Sequence, residues 1–208
     1  YYSPKGGHPD QTQLLSGRAV FTESYAVLPK GTMQDIVTSA LPFWEGTRLW
    51  VLARPLTGFA ESFSHYLMEV APDGGASHPE TDTDAEDVLF FVEGKARLTL
   101  NGTNHDLPAG SDWQLRNVGS TALRFHWIRK AYVTVTGLPA PETIITSDQS
   151  VAPVPMPGTD GAWATSRFVD PADLRYDMHV NIVTFEPGGV IPFLETHVME
   201  HGLYVLEG

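Results

Sequence analysis

The chain has no cysteine among its 208 residues, which excludes disulfide bonds, thiol catalysis and thiolate metal sites. Positive charge is scarce, with 13 Lys and Arg against 25 Asp and Glu, and no basic cluster is present. Nucleic acids and anionic membranes bind clustered positive charge, so we expect neither as a partner. No apolar run reaches the roughly 18 residues of a membrane span. No signal-peptide core is visible either, so we expect a cytoplasmic protein.

Signatures of nucleophilic catalysis are also missing. The sequence has no Gly-x-Ser-x-Gly elbow and no glycine-rich loop of the kind that holds phosphates. What it does contain is 19 Gly and 16 Pro, with only 18% charged residues. This composition favours strands and turns over helices.

An internal repeat organises the chain. The segment 90–94 (FFVEG) matches 204–208 (YVLEG) at an offset of 114 residues. Upstream, 67–75 (LMEVAPDGG) matches 182–189 (IVTFEPGG). Each copy predicts a strand, a Pro/Gly turn, a polar stretch and an apolar strand that ends in Glu-Gly. A period of this length is the size of a duplicated domain.

The first copy predicts an antiparallel β architecture. Residues 95–100 (KARLTL) alternate polar and apolar side chains, and Asn101-Gly102 follows as a hairpin signal. Residues 122–128 predict another strand, and helix is expected only as one turn near 171–174. The many short strands and turns favour a sandwich or barrel. We expect an N-terminal barrel with an arm over 1–135, a Pro-rich linker over 136–161, and the start of a second barrel over 162–208.

A metal-site pattern lies in the second copy, in residues 195–201 (ETHVMEH). In an extended chain Glu195 and His197 project to the same face, and a bend can return His201 to them. One carboxylate and two imidazoles suit a divalent first-row metal, and three protein ligands leave positions open for water or substrate. The pattern therefore predicts a catalytic metal site.

These residues resemble the cupin metal motif. Gly189 is followed by five residues, then Glu195-x-His197, three residues, His201, six residues and Gly208. With its internal repeat, the chain resembles a bicupin, a protein of two tandem jelly-roll barrels (double-stranded β-helices), and the resemblance implies an all-β fold with little helix. The order Glu-x-His-x-x-x-His is similar to that of the (S)-ureidoglycine aminohydrolase family of purine catabolism.

The resemblance implies an enzyme that releases ammonia hydrolytically from (S)-ureidoglycine, a small ureido compound, and gives (S)-ureidoglycolate. It implies Mn²⁺ as cofactor, although another divalent first-row metal fits the same donors. Glu195, His197 and His201 would be the metal ligands, and Glu195 would also shuttle a proton to the substrate amine. We expect a homo-oligomer, because barrel faces and the N-terminal arm offer contact surfaces.

Two departures from the family pattern are visible. In the first copy the three ligand positions fall on Thr81, Thr83 and Asp87, so we expect an N-terminal barrel that holds no metal. The family's fourth ligand, a Gln, and its substrate-orienting Tyr and Lys would lie beyond Gly208. The second barrel is incomplete as written, and we expect further residues after about Gly110 and after Gly208.

Other functions remain open on the same scaffold. A metal-dependent cupin dioxygenase or isomerase is one alternative, and a non-catalytic cupin that binds a small molecule is another. His65 and His126 are interpreted as hydrogen-bonded barrel residues, whereas His179 precedes the metal motif and could line its cavity. Arg167 and Arg175 are candidate cations for substrate capture.

Overall fold

The computed structural model describes residues 19–21, 25–29, 41–54, 62–82, 84–100, 113–193 and 199–208. This part of the chain contains eleven strands: β1 (Val20–Phe21), β2 (Ala26–Val27), β3 (Trp44–Ala53), β4 (Phe63–Ala76), β5 (Ala85–Glu93), β6 (Ala96–Leu100), β7 (Trp113–Asn117), β8 (Leu123–Ala131), β9 (Val154–Pro155), β10 (Trp163–Arg167) and β11 (Asn181–Phe185). One 3₁₀ turn, Asp148–Ser150, accompanies them.

The main sheet has six antiparallel strands arranged around β4. Strand β3 pairs along one edge of β4, and β8 pairs along the other edge over residues 63–70. Beyond this point β7 takes over, where Gly75 lies opposite Arg116. Strand β5 extends the sheet from β8, and β6 extends it from β7. The alternating segment 95–100 is therefore confirmed as a strand, β6.

Strand β4 continues where the repeat predicted a turn. Its 14 residues run through the Pro72–Gly75 stretch to Ala76, so the expected Pro/Gly turn in the first copy is wrong. The backbone bends instead, with positive φ at Asp73 and Gly75. Strand β3 bends beside it at Gly46, where the pairing register shifts. The pairing of β4 with β3 stops after Val70 and resumes at Gly75, and the sheet curls at this irregularity.

The core lies inside this curl. Side chains alternate between the two faces of each strand, and the inward ones form one cluster. Its buried members are Trp44, Leu49, Met68, Val70, Ala76, Leu100, Trp113, Leu115, Leu123, Phe125 and Trp127. The rings of Trp113 and Trp127 meet edge to face, with centroids 5.3 Å apart. Burial of this many aromatic groups is a large source of stability for the sheet.

A second, three-stranded antiparallel sheet has the order β9-β10-β11. Trp163 is buried and stacks on Phe185 across the β10–β11 pair, with ring centroids 6.1 Å apart. The turn predicted after this strand is confirmed at 187–188. Strand β9 falls inside the segment expected to be linker. The division into two barrels and its boundaries stay a prediction.

The apolar segment 204–206 was predicted as a strand and is not one. A strand requires a neighbour that satisfies its N–H and C=O groups, and no described segment pairs with 204–206. Residues 171–175 form consecutive turns rather than a helix. The all-β class with little helix is confirmed, and the antiparallel main sheet is curled. Among the described residues, no helix is long and apolar enough to cross a bilayer.

Candidate metal centre

The predicted ligands are only partly visible. Glu195 and His197 lie outside the described residues, whereas His201 is described and is exposed. In the described part of the chain, no three His, Cys, Asp or Glu side chains form a group that could hold a metal. The three-ligand site therefore stays a prediction.

The segment that carries His201 lies against the outer face of the main sheet. The Glu200 carboxylate accepts hydrogen bonds from the Ser62 backbone N–H at 2.8 Å and from the Ser62 hydroxyl at 2.5 Å. Gly202 lies so near β4 that a Cβ there would be 3.4 Å from Nδ1 of His65. The Tyr204 ring contacts the His126 ring, with centroids 4.1 Å apart. These contacts fix one side of the predicted metal motif to the first sheet.

His65 and His126 form a buried pair below this segment. The β4–β8 register places Leu67 opposite His126, so both histidines project outward, away from the tryptophan core. Nε2 of His65 is 2.8 Å from Nδ1 of His126. Their interpretation as hydrogen-bonded histidines is confirmed. The sequence gives no direct sign of the contact, because the two residues are 61 positions apart and meet only through strand register.

Burial keeps this pair neutral. It lowers the pKa of His126 to about 4. Burial also lowers the pKa of His65 to about 4, and the nearby charge of His126 adds to the effect. In a neutral pair one ring N–H donates to the other ring nitrogen. Nε2 of His126 is buried and has no hydrogen-bond partner among the described residues, so protonation there gains no compensating contact from them.

The corresponding position in the first copy has a different chemistry. Asp87, which the 114-residue offset aligns with His201, accepts hydrogen bonds from the indole N–H groups of Trp113 at 3.1 Å and Trp127 at 2.7 Å. The Arg129 guanidinium lies 3.9 Å from the same carboxylate. Burial raises the pKa of Asp87, and the two indole hydrogen bonds oppose that rise. Both carboxylate oxygens of Asp87 thus accept hydrogen bonds from tryptophans of the core. The expectation of a metal-free first barrel stays a prediction.

The remaining candidates lie in β10 and in the segment that leads from β10 into β11. His179 is exposed and stands just before β11 rather than in a strand. Arg175 is held by Asp173 through hydrogen bonds of 2.7 to 3.1 Å. Arg167 ends β10 and is exposed. The structure does not distinguish between Arg167 and Arg175, so a role in substrate capture stays a prediction for both.

Comparison with known proteins places the chain among its relatives. No protein-family model matches it. A solved Pseudomonas aeruginosa protein described as glyoxylate-induced is 56% identical, with a TM-score of 0.79 over 96% of this chain and 75% of that one. Proteins named (S)-ureidoglycine aminohydrolase from Escherichia coli (strain K12) and Arabidopsis thaliana are 26% and 28% identical over 94% and 96% of the chain. The chain resembles the (S)-ureidoglycine aminohydrolase family along almost its whole length.

The chain spans 75% of the length of the E. coli relative and 66% of the length of the Arabidopsis one. The solved E. coli protein Ylba is 22% identical and has a TM-score of 0.71 over 91% of this chain. That likeness supports the cupin fold. The resemblance inferred from the order of Glu195, His197 and His201 is thereby confirmed at the level of the family.

Proposed function

We propose that this chain catalyses the hydrolytic deamination of (S)-ureidoglycine to (S)-ureidoglycolate and ammonia, in the degradation of allantoin during purine catabolism. The observation that carries the proposal is the similarity, along almost the whole chain, to proteins that have the aminohydrolase name. The Glu-x-His-x-x-x-His order of Glu195, His197 and His201 also supports it, because the sequence resemblance to the aminohydrolases rests on this order.

The donor set fits the proposed cofactor. One carboxylate oxygen and two imidazole nitrogens are acceptable to Mn²⁺ and to other divalent first-row metals. Glu195, His197 and His201 would hold the ion, and His201 is an exposed residue. When bound, the metal supplies a Lewis acid that polarises the substrate.

The side chains account for the proton movements. The reaction breaks the bond between the substrate carbon and its amino nitrogen and forms a bond from that carbon to a water oxygen. The amine must gain a proton to leave as ammonia, and the water must lose one. A carboxylate that uses one oxygen for the metal keeps the other for this transfer, and we assign that role to Glu195.

Ammonia release from (S)-ureidoglycine by the full-length, Mn²⁺-loaded protein tests the proposal. We expect turnover in the wild type and loss of at least about 100-fold in Glu195→Gln, since a general acid–base group contributes roughly this much. His78→Ala is the matched control, because His78 is an exposed histidine of the first copy. Absence of ammonia release from the metal-loaded wild type would exclude the proposed activity, and oxygen consumption would favour a dioxygenase.

Metal content provides a readout apart from activity. Elemental analysis should find Mn in the wild type and in His78→Ala, and much less in His197→Ala and His201→Ala. Equal metal in all four proteins would contradict the ligand assignment.

We further propose a cytoplasmic homo-oligomer. Size-exclusion chromatography with light scattering checks the assembly, and a monomeric mass would refute it.

A further inference from the structure

A cluster of charged groups joins the outer face of the main sheet to the chain that leads into β11. Glu86 and Lys130 lie opposite each other in the β5–β8 register. Their neighbour Asp87 faces the tryptophan core, so strand alternation directs Glu86 outward. The segment 173–177 crosses the sheet at this point and contributes Asp177.

In this cluster the ammonium group of Lys130 lies close to two carboxylates, those of Asp177 and Glu86. Nζ of Lys130 lies 2.5 Å from Oδ2 of Asp177 and 3.5 Å from Oε1 of Glu86. Oδ2 of Asp177 also accepts a hydrogen bond from the Val133 N–H at 3.1 Å. The side chains of Glu86, Lys130 and Asp177 are only 15%, 18% and 23% exposed. Two carboxylate charges in such a place are incompletely balanced by one lysine.

Two buried carboxylate oxygens show where a proton would lie. Oε1 of Glu86 and Oδ1 of Asp177 are both buried, and neither receives a hydrogen bond from the described residues. A proton held between the two carboxyl groups satisfies such a pair, as in other coupled carboxylates. Burial, together with Asp177, raises the pKa of Glu86 to about 8. Burial also acts to raise the pKa of Asp177, but hydrogen bonds from Glu86, Lys130 and Val133 outweigh it and lower that pKa.

The other ionisable groups around the cluster do not take the place of this proton in balancing the second carboxylate. Asp173 and Arg175 neutralise each other within the crossing segment. From the end of β8, the Tyr132 hydroxyl donates to the Arg175 carbonyl at 2.9 Å. On β4, Lys130 faces Phe63, which has no charge. From the linker, Glu142 contributes only its carbonyl, which accepts from the Tyr176 hydroxyl at 2.8 Å.

We propose that Glu86, Lys130 and Asp177 form a protonation-dependent latch, which holds segment 173–177 on the main sheet while the two carboxyl groups share a proton and loosens when both are ionised. The closed latch retains a proton that the open latch releases. The equilibrium constant for opening therefore rises with pH above the ordinary pKa of a glutamic acid. It stops rising once Glu86 is also ionised in the closed state. The segment connects β10 to β11, so the latch couples the two sheets.

Hydrogen exchange of the full-length protein, corrected for the intrinsic pH dependence of exchange, tests the latch. In the wild type we expect the protection of segment 173–177 to fall between about pH 6 and 8, by up to about tenfold per pH unit, and to level off above about pH 8. Glu86→Gln should show protection that is nearly independent of pH, because its amide donates to Asp177 without titrating. Glu93→Gln, a more exposed glutamate at the end of the same strand, should behave as the wild type.

A second variant keeps the test decisive if Glu86→Gln does not fold. Asp177→Asn leaves Lys130 with one carboxylate, so its segment should also lose the pH dependence. Exchange of β6 serves as the internal reference, because this strand does not contact the latch. Protection of 173–177 that is constant with pH in the wild type would overturn the proposal. So would a pH dependence that survives unchanged in either folded latch variant.

Discussion

Nε2 of His65 lies 2.8 Å from Nδ1 of His126, on the face of the main sheet opposite the tryptophan core. Both rings are almost fully buried, with 7% and 2% of their surface exposed. This contact exists because β4 and β8 pair in one register, and a shift by one residue would turn the rings to opposite faces. The pair lies under Tyr204, so it supports the segment next to the predicted metal motif.

The histidine pair should make the fold sensitive to acid. The pKa of each ring falls from 6.5 to about 4 on folding, so the unfolded chain binds more protons between these values. Stability is therefore complete above pH 6.5 and is lost as the pH falls towards 4, by up to about 2 kcal/mol per histidine at about pH 5.

Urea unfolding at about pH 7.5 and pH 5 measures this loss. We expect His126→Gln to lose less stability on acidification than the wild type, because one of the two titrating rings is gone. His78→Gln removes an exposed histidine and should leave the acid loss unchanged. An equal acid loss in all three proteins would show that the pair does not control it.

Segment 199–208 should be released by removing its attachment to β4. In Glu200→Gln the two hydrogen bonds from Ser62 lose their charge, and such bonds to an ionised acceptor contribute about 1.5–3 kcal/mol. We expect faster hydrogen exchange in 199–208 with little change in β6 and β7. Glu207→Gln alters an exposed glutamate of the same segment and is the control. Exchange that is as slow in Glu200→Gln as in the control would disprove this attachment.

Asp87 should be necessary for the core of the first sheet. Asp87→Ala removes the acceptor of two indole N–H groups, and each unsatisfied buried donor costs about 1–3 kcal/mol. Asp87→Asn keeps one acceptor oxygen and should lose about half as much stability. Urea unfolding followed by tryptophan fluorescence measures both. Asp84→Ala, at an exposed neighbouring position, should be near neutral; a similarly small effect at Asp87 would contradict the assigned role.

Local sequence patterns predicted the elements but not their long-range contacts. The alternation of polar and apolar side chains in 95–100 was sufficient to predict β6. The spacing of residues from Gly189 to Gly208 was sufficient to predict the resemblance to cupins. The bend of β4 escaped prediction because Asp73 and Gly75 resemble a turn, and the local sequence does not show that β4 resumes its pairing with β3 at Gly75. For the same reason the Glu86–Asp177 contact has no sequence signal, since it requires both the β5–β8 register and the path of segment 173–177.

Glu86 should reduce stability on the alkaline side, opposite to the histidine pair. Its pKa rises from 4.5 to about 8 on folding, so the folded chain binds one more proton between these values. The stability that this proton contributes is complete below pH 4.5 and is lost as the pH rises to 8. Between pH 6.5 and 8 the loss reaches at most about 2 kcal/mol, while the histidines are neutral in both states.

The two opposing effects predict a stability maximum near the histidine range. Urea midpoints for the wild type and Glu93→Gln should therefore fall between about pH 6.5 and 8.5. In Glu86→Gln the midpoint should stay nearly constant over this interval, because its side chain does not titrate. A decline of the same size in Glu86→Gln would assign the alkaline loss to another group. A constant midpoint in the wild type would mean that Glu86 is already ionised in the folded protein at neutral pH.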